Sequence, residues 1–468
     1  MVAAPLGLRE MAATFTESGV LDPALAHVLS RADFDTWSGK VQAARGCVKP
    51  VRMAGSSTVV DGSGAVVSEL SGNVFVPCKN RRAAVCESCS AHYAHDTFHL
   101  IRAGMAGGKG VPETVTGHLR VLATLTAPSF GKVHSRPVRN GHVRRCSCGE
   151  LHSQYDDALG TPVDPDTYDY AGSVLWQAHA GELWRRFTIA VGRKLARALG
   201  IRAAELRQVM RLSYAKVAEY QRRGLIHFHA VVRIDGPEGP DGPPPPSTFL
   251  DADVLAAVIQ EAAASVLVRT PESSAVGARD LAWGDQVDVE PIATSEGTSE
   301  DSGDGWHDRR VAGYVAKYAT KGTRLTEGSD YRIRSAEHIE QLDVTEHHKQ
   351  LMRTAWRLGG LPEFEELNLR KWAHMLGFRG HFLTKSRRYS TTFGAIRRTR
   401  AEYRLDEQRE ALGIADTEPL TVVNDWSMTG IGYHNDAERR LAAMFSELHL
   451  ARRKLDGQDD DAGAPDGR

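Results

Sequence analysis

Residues 211–234 read RLSYAKVAEYQRRGLIHFHAVVRI and carry the strongest secondary-structure signal of the chain. Two runs that alternate like strands, 211–220 and 225–234, are separated by the sequence QRRG at 221–224. Alternation with a period of two is typical of β-strands, and a short glycine-containing loop between two such runs predicts a β-hairpin. The hairpin therefore indicates an antiparallel sheet at the centre of the molecule.

Other segments complete an α+β fold around this hairpin. Residues 119–126 (LRVLATLT) mix apolar and β-branched residues, which predicts a buried strand. Residues 174–199 carry apolar side chains at helical spacing and stop at Gly200, which predicts a long amphipathic helix. We expect strands 119–126 and 225–233 to be central and to pack against this helix.

His227 and His229 flank Phe228 within a predicted strand, so both imidazoles leave the same face of the sheet. If the hairpin loop consists of residues 222–224, Glu219 lies directly across from His227. A carboxylate beside two imidazoles suits Mg²⁺ or Mn²⁺. Paired strand histidines are usually surface residues, and a shift of one residue in the register would turn Glu219 to the other face.

The segment GYVAKYATKG (313–322) predicts a helix that ends at Gly322, and four of its side chains share one face: Tyr314, Lys317, Tyr318 and Lys321. Two phenols then lie one turn apart, each with its own lysine. An amphipathic helix with packed tyrosines and snorkelling lysines is the simpler interpretation. Phosphodiester chemistry explains the pattern better once a metal beside the histidines is included, because an ordinary phenol is a poor nucleophile at neutral pH.

Five of the six cysteines fall in two tight groups, a spacing that favours metal ligands over disulfides. The spacing Cys78-x7-Cys86-x2-Cys89, with Cys47 as the fourth ligand, predicts a structural zinc site. Reduced cysteines without metal are the alternative.

The second group is Cys146-x-Cys148, with His152 and His142 nearby. The following segment, DPDTYDY (164–170), contains no further cysteine. A second zinc site is therefore doubtful from the sequence, and these thiols could be remnants of one.

Charge is segregated along the 468 residues although 58 Lys and Arg nearly balance 59 Asp and Glu. Residues 370–400 carry nine cations and no acid, whereas 235–308 hold 16 acids and two arginines. A face of positive charge attracts phosphates regardless of the overall balance. We expect the first segment to follow the DNA backbone through Lys385, Arg387, Arg388, Arg397 and Arg398.

The sequence contains no run of about 18 apolar residues and no signal-peptide pattern at its beginning. We therefore expect a soluble cytoplasmic protein with no membrane partner.

Together these motifs resemble those of the HUH endonucleases, which initiate rolling-circle replication. The resemblance rests on Thr124-Leu125-Thr126, His227-Phe228-His229 and the two-tyrosine motif YVAKYATK, in that order along the chain. Longer blocks, such as AKVAEYQRRGLIHFHAVVRIDG and WAHMLGFRGHFLTKSRRYSTTF, are similar to the RepSA-type initiators of actinobacterial plasmids. The similarity extends over roughly residues 45–435.

The resemblance implies an origin-specific single-strand endonuclease and ligase that works on plasmid DNA with a host helicase and polymerase. Tyr318 matches the nucleophile of single-tyrosine initiators and would form a 5′-phosphotyrosine, and Tyr314 would act second. Lys317 and Lys321 would steady the phosphate or lower the phenolate pKa. Tyr331 or Tyr389 would be the next nucleophile candidates.

Two alternatives remain open: a zinc-containing DNA-binding regulator that does not nick, and an HUH relaxase or transposase. In relaxases the tyrosines precede the histidines, and the transposases are typically short with one tyrosine. In this chain the histidine pair precedes the tyrosine motif, and that motif contains two tyrosines.

The predicted organisation has an HUH-like antiparallel sheet flanked by helices in an endonuclease core at 119–330, with loops at 235–247 and 295–308. Before the core come a helical segment at 1–45 and a cysteine-rich zinc-binding region at 46–118. After it come a helical basic DNA-contacting region at 331–445 and an acidic tail at 446–468.

Overall fold

The structure is a computed structural model that describes residues 22–245, 250–293, 307–320, 332–412 and 419–455. Lys321, Gly322, Tyr331 and most of the predicted loop 295–308 lie outside these ranges, as does the chain after residue 455. No helix within the described ranges has the length and apolar character needed to span a membrane.

Helices and strands alternate irregularly along the chain. The first half contains α1 (Pro23–Leu29), α2 (Phe34–Ala43), β1 (Val51–Val60), β2 (Val66–Val76), α3 (Glu87–Ala106), β3 (Arg120–Leu125), β4 (Val138–Arg139), β5 (His142–Val143), α4 (Tyr170–Ala198), α5 (Leu206–Val209), β6 (Arg211–Tyr220) and β7 (Ile226–Asp235). The second half contains α6 (Ala252–Ala264), β8 (Val268–Arg269), β9 (Asp280–Leu281), β10 (Val287–Pro291), α7 (Asp308–Thr320), α8 (Ala336–Glu340), α9 (Glu346–Leu358), α10 (Leu369–Trp372), β11 (Leu383–Lys385), α11 (Phe393–Leu412), β12 (Thr421–Ile431) and α12 (Asp436–Leu455).

The described residues divide into two compact units. Residues 22–96 and 392–455 form the terminal unit, and residues 97–391 form the central unit. The terminal unit contains an antiparallel sheet in the order β12–β1–β2, in which Val51 pairs with Ile431. Its core is made of apolar side chains from α1, α2 and α12, including Leu25, Val28, Trp37, Val41, Leu441 and Phe445.

The sequence predicted that region 331–445 is helical, but the structure shows that it is not helical throughout. Strands β11 and β12 lie within it. The sequence of β12, TVVNDWSMTGI, contains the β-branched residues that favour strands, but its partner β1 is more than 300 residues away along the chain. Local periodicity cannot reveal such a distant pairing, so the strand was missed.

The central unit is built on a five-stranded antiparallel sheet in the order β10–β3–β7–β6–β11. The predicted hairpin is observed, with strand ends within one residue of the expected positions. Gly224 has φ +72°, and its N–H donates to the Gln221 carbonyl at 2.9 Å. Because glycine adopts this left-handed conformation without steric cost, the loop closes over three residues and fixes the register of β6 against β7.

One face of this sheet packs against α4 and α6, which confirms the expected packing against the long helix. Phe228 lies in the centre of this face, with ring centroids 5.7 Å from both Trp184 and Trp283. Since side chains alternate along a strand, burying Phe228 on this face turns His227 and His229 to the opposite face. The hydrophobic core thereby sets the side on which the polar cluster lies.

Lys216 lies on the core face and is only 5% exposed, with Nζ 3.7 Å from the Phe228 ring centroid. Burial lowers the pKa of Lys216 to about 7. Between about pH 7 and the ordinary lysine value of 10.5 the unfolded chain binds the extra proton, so the stability of the fold rises with pH across that window. Cation–π attraction to the ring offsets part of the cost of the charged form.

We therefore expect Lys216→Met to raise the melting temperature by several degrees at pH 6 and by much less at pH 10. Thermal unfolding measured at pH 6, 8 and 10 checks this expectation. Lys132→Met, which removes an exposed lysine from the same unit, is the control and should change little at any pH. A gain from Lys216→Met that does not vary with pH would show that Lys216 stays charged in the fold.

Candidate active site

The hairpin of β6 and β7 brings a carboxylate and two imidazoles together. Glu219 pairs directly with His227, the register that the three-residue loop predicted. Glu219 Oε2 lies 2.9 Å from His227 Nε2 and 3.1 Å from His229 Nε2, and the two Nε2 atoms are 3.1 Å apart. His229 is buried, and the other two side chains are partly buried. The structure thus places the three predicted ligands in one cluster.

Thr124 orients His229 from the neighbouring strand. β3 pairs with β7 so that Thr124 lies opposite His229, and its Oγ1 is 3.0 Å from His229 Nδ1. With a cation on Nε2, the ring proton of His229 would lie on Nδ1, from which it would be donated to the threonine hydroxyl. In the sequence, Thr124 stands out only as part of a strand motif. Its contact with residue 229 follows from strand pairing, which the motif alone does not give.

The spacing of the cluster fits a hard divalent cation. Octahedral metal–ligand bonds of about 2.1 Å place neighbouring ligand atoms about 3 Å apart, whereas a tetrahedral zinc site separates them by about 3.3 Å or more. The observed separations are 2.9–3.1 Å. Two unprotonated imidazole nitrogens this close repel each other unless a proton or a cation lies between them. The nitrogen and oxygen set therefore suits Mg²⁺ or Mn²⁺.

Glu219 supplies negative charge to the cluster. Burial opposes its ionisation, but the hydrogen bonds from His227 and His229 outweigh burial and lower the pKa of Glu219 to about 2. The carboxylate is therefore ionised throughout the physiological range. A negative group in a partly buried site favours a bound cation.

The two tyrosines of α7 face this cluster. The Tyr314 hydroxyl lies 3.3 Å from His229 Nε2, and the Tyr318 ring stacks on the His229 ring with centroids 5.2 Å apart and 26° between planes. The two tyrosine rings are 4.5 Å apart. Arg102 Nε, which lies 3.3 Å from the buried Asp308 carboxylate, anchors the beginning of the helix. The predicted face of α7 is thus turned toward the predicted metal ligands.

The environment alone does not activate either phenol. Burial, followed by the charge of Glu219, raises the pKa of Tyr318, and burial raises the pKa of Tyr314 further. A hydrogen bond between the two hydroxyls raises the pKa of Tyr314 and lowers that of Tyr318. The phenolate is therefore easier to form at Tyr318, and positive charge beside Glu219 would help to form it.

The predicted lysines are only partly described. Lys317 is half-buried on α7, and Lys321 lies outside the described residues. Tyr389, one of the reserve nucleophile candidates, is fully buried, and its hydroxyl donates to the Ile101 carbonyl at 3.0 Å. That position gives it no access to a substrate, so it is removed from the candidates. Tyr331, the other reserve candidate, is not described.

Four cysteine sulfurs cluster in the terminal unit, as the spacing predicted. The Sγ atoms of Cys47, Cys78, Cys86 and Cys89 all lie within 4.8 Å of one another, and those of Cys47 and Cys86 are 3.8 Å apart. Zinc–sulfur bonds of about 2.3 Å in a tetrahedron give a sulfur–sulfur separation of about 3.8 Å. The set therefore fits a closed tetrahedral zinc site.

The second group of thiols has different histidine neighbours from those expected. Cys146, Cys148 and His152 cluster with His134, and His142 is not among them. His142 lies on β5 with its side chain exposed. His142, which is close in sequence, is therefore not a neighbour of these thiols, and His134 takes its place.

The basic segment 370–400 is divided between the two units, with residues 392–400 in the terminal unit. Lys385 Nζ donates to the Ser390 carbonyl at 2.8 Å, and Arg397 Nε lies 3.1 Å from the Asp96 carboxylate. The side chains of Arg387, Arg388 and Arg398 are exposed. Arg387 and Arg398 are therefore better placed to meet a phosphate than Lys385, which is partly engaged within the fold, or Arg388, whose guanidinium donates to the Glu238 carbonyl at 3.2 Å.

Comparison with known proteins identifies the class and then the family. Residues 33–447 match the model of the family described as "RepSA: Replication initiator protein, pSAM2". The chain is 42% identical over 444 residues to a replication initiator protein of Streptomyces ambofaciens, covering 91% of this chain and 94% of that protein. The chain is thus a replication initiator, a role that implies binding to DNA. It belongs to the RepSA family, as the sequence motifs indicated. No solved structure matches it.

Proposed function

We propose that this chain initiates rolling-circle replication of a plasmid as an HUH-type endonuclease, which nicks and rejoins one DNA strand at the origin. The observation that carries the proposal is that the cluster of Glu219, His227 and His229 faces a tyrosine hydroxyl. The Tyr314 hydroxyl lies 3.3 Å from His229 Nε2. A nucleophilic hydroxyl beside a metal-ligand set is the arrangement that phosphodiester transesterification requires. A DNA-binding regulator has no use for it.

Each residue of the site then has a role. Glu219, His227 and His229 would hold Mg²⁺ or Mn²⁺, with Thr124 orienting His229. The cation would withdraw charge from the scissile phosphate and compensate the carboxylate that disfavours the phenolate. The Tyr318 oxygen loses its proton and forms a bond to phosphorus, the bond between phosphorus and the 3′-oxygen breaks, and the 3′-oxygen takes up a proton. Lys317 and Lys321 would neutralise charge on the phosphate.

The two tyrosines allow two cleavages by one chain. Tyr318 acts first, because it matches the nucleophile of the single-tyrosine initiators that the chain resembles. The 5′-phosphotyrosine keeps the energy of the broken phosphodiester, so the strand can be rejoined without ATP. The freed 3′-OH is the primer end that a host polymerase extends behind a helicase. Tyr314 would then attack the regenerated origin while Tyr318 is still occupied.

DNA binding would come mainly from arginines outside the cluster. The exposed Arg387 and Arg398 would contact phosphates, and Lys385, Arg388 and Arg397 would support them from partly engaged positions. Phosphate contacts make affinity fall with salt, by about 0.9 unit of log–log slope for each contact on duplex DNA.

The decisive experiment incubates the chain with a supercoiled plasmid that carries its cognate origin, with Mg²⁺, with Mn²⁺ or with EDTA. We expect metal-dependent open circles with protein covalently attached to a 5′ end. A plasmid of the same size without the origin is the control and should stay supercoiled. Specific binding without nicking in either metal would favour the regulator alternative and refute the endonuclease.

We also propose that Cys47, Cys78, Cys86 and Cys89 bind a structural Zn²⁺. We expect Cys86→Ser to lose about one zinc ion per chain and to expose residues 47–89 to protease, because structural zinc contributes directly to folding. Zinc analysis after dialysis and limited proteolysis measure both effects. Ser68→Ala, an exposed position on β2, is the control. Unchanged zinc content in Cys86→Ser would contradict the assignment.

A further inference from the structure

Residues 131–157, here called the cysteine loop, have almost no hydrophobic core. The structure describes all of them, and their regular structure consists of the two-residue strands β4 and β5. Within the loop only Cys146 and His152 are buried. A segment this long cannot be held in one conformation by so little burial, and small units of this kind rely on disulfides or on a metal ion.

The buried residues belong to a group of four metal-ligating side chains. His134 Nδ1 lies 3.2 Å from His152 Nε2, and Cys148 Sγ lies 3.3 Å from the same nitrogen. With Cys146 Sγ, all four atoms lie within 4.8 Å of one another. Tetrahedral zinc with bonds of about 2.0–2.3 Å separates its ligand atoms by about 3.3–3.8 Å. The group thus has the composition and close to the spacing of a two-cysteine, two-histidine zinc site.

The surrounding contacts orient these atoms toward a common centre. His152 Nδ1 lies 2.7 Å from Asp156 Oδ2, which leaves Nε2 to face the cysteines. The Ser135 N–H donates to Cys146 Sγ at 3.3 Å. A carboxylate on the outer nitrogen of a histidine is the usual second layer of a zinc site, and an N–H bond to sulfur stabilises a thiolate.

Backbone hydrogen bonds to residues 160 and 161 hold His134 in position. The His134 N–H donates to the Thr161 carbonyl at 2.8 Å, and its carbonyl accepts from the Gly160 N–H at 2.8 Å. These bonds join residue 134, near the beginning of the cysteine loop, to residues that follow its end, and they bring residue 134 beside residue 152.

We propose that His134, Cys146, Cys148 and His152 bind one Zn²⁺ ion, distinct from that of the four-cysteine site, and that this ion fixes a basic hairpin for contact with DNA phosphates. The hairpin is β4 and β5 with their flanks. Residues 131–149 carry five exposed cations and no acid: Lys132, Arg136, Arg139, Arg144 and Arg145.

The position of the hairpin links it to the candidate active site. The loop begins shortly after Leu125, whose partner on β7 is Phe228, the residue between the two histidines. Arg222 of the β6–β7 turn donates to the Gln154 carbonyl at 2.9 Å. The loop therefore leaves the sheet at the end where His227 lies. Its DNA contact rests on the proposed function, whereas its zinc binding does not.

Zinc content tests the site directly. The full chain, dialysed against a weak chelator, should contain about two zinc ions, and His134→Ala with Cys148→Ser should contain about one. His142→Ala, which removes the exposed histidine of the same hairpin, should keep both. Equal zinc in the wild type and the double variant would overturn the site.

X-ray absorption at the zinc edge distinguishes loss of a ligand from loss of metal through misfolding, because it identifies the atoms bound to the remaining zinc. In Cys86→Ser the remaining zinc should have about two sulfur and two nitrogen neighbours. A shell of sulfur alone, or a chain without zinc, would also overturn the proposal.

The role in DNA binding has its own test. Arg139→Gln with Arg144→Gln should retain both zinc ions and lower the slope of log affinity against log salt on duplex origin DNA by about 2. An unchanged slope would overturn the hairpin's contact with phosphates. Nicking by the wild type on the same origin reports on the proposed function separately, because zinc content and salt dependence do not require cleavage.

Discussion

Replacing His227 with alanine should reduce metal-dependent cleavage of an origin oligonucleotide by about 1,000-fold or more. His227 Nε2 is one of three ligand atoms that lie 2.9–3.1 Å apart, and its loss leaves Glu219 and His229 as an incomplete set. A cation that stabilises charge on a reacting phosphate contributes several kcal/mol, which corresponds to a factor of about 1,000. Single-turnover cleavage in saturating Mn²⁺ measures the effect.

Binding to duplex origin DNA in EDTA should stay nearly the same in this variant, because affinity depends mainly on phosphate contacts elsewhere. His381→Ala, an exposed histidine of the same unit, is the matched control and should cleave normally. Thr124→Val should give an intermediate loss of about 10- to 100-fold, since it removes only the partner of His229 Nδ1. Normal cleavage by His227→Ala would show that the metal is held elsewhere or not needed.

The second large effect concerns the covalent intermediate. Tyr314→Phe combined with Tyr318→Phe should form no detectable protein–DNA adduct on a labelled single-stranded origin oligonucleotide. Both tyrosine rings lie against the His229 ring, and their centroids are 4.5 Å apart, so each hydroxyl can take part when the other is absent. Phenylalanine preserves the ring stacking, and the loss can therefore be assigned to the missing hydroxyls. Denaturing gels with the labelled strand measure the adduct.

The single changes separate the order of the steps. Tyr318→Phe should lower the first cleavage by at least about tenfold, whereas Tyr314→Phe should mainly reduce the second strand transfer. Tyr155→Phe, in which an exposed tyrosine loses its hydroxyl, should leave both steps unchanged. An adduct that persists in the double variant would place the nucleophile elsewhere, and Tyr331 would then be the next residue to change.

The candidate site could be predicted from the sequence because the spacings between its residues within the hairpin and within the helix are local. The three-residue loop with Gly224 at φ +72° fixes which residue of β6 faces His227, and the helical repeat fixes Tyr314 and Tyr318 one turn apart. Both are consequences of backbone geometry over fewer than a dozen residues. The four-cysteine cluster could also be predicted from the sequence, since three of its members lie close together in the chain.

The errors and omissions all involve distant partners. His134, not the nearer His142, joins Cys146 and Cys148, because backbone bonds to residues 160 and 161 hold it there. Strand β12 was missed because it forms only against β1, and Thr124 reaches His229 only through the pairing of β3 with β7. The basic segment 370–400 was treated as one surface, yet it is shared between two units.

Turn geometry and residue periodicity act within a few residues, so the hairpin, its register, the tyrosine spacing and the ligand types follow from the amino-acid sequence. Three further features arise from tertiary packing: α7 lies against the histidine face, Thr124 orients His229, and His134 completes a second group of metal ligands. Those contacts join residues that are 18 to 105 positions apart in the chain. They depend on how the whole core packs, because closing such long loops costs entropy that only the buried core can offset.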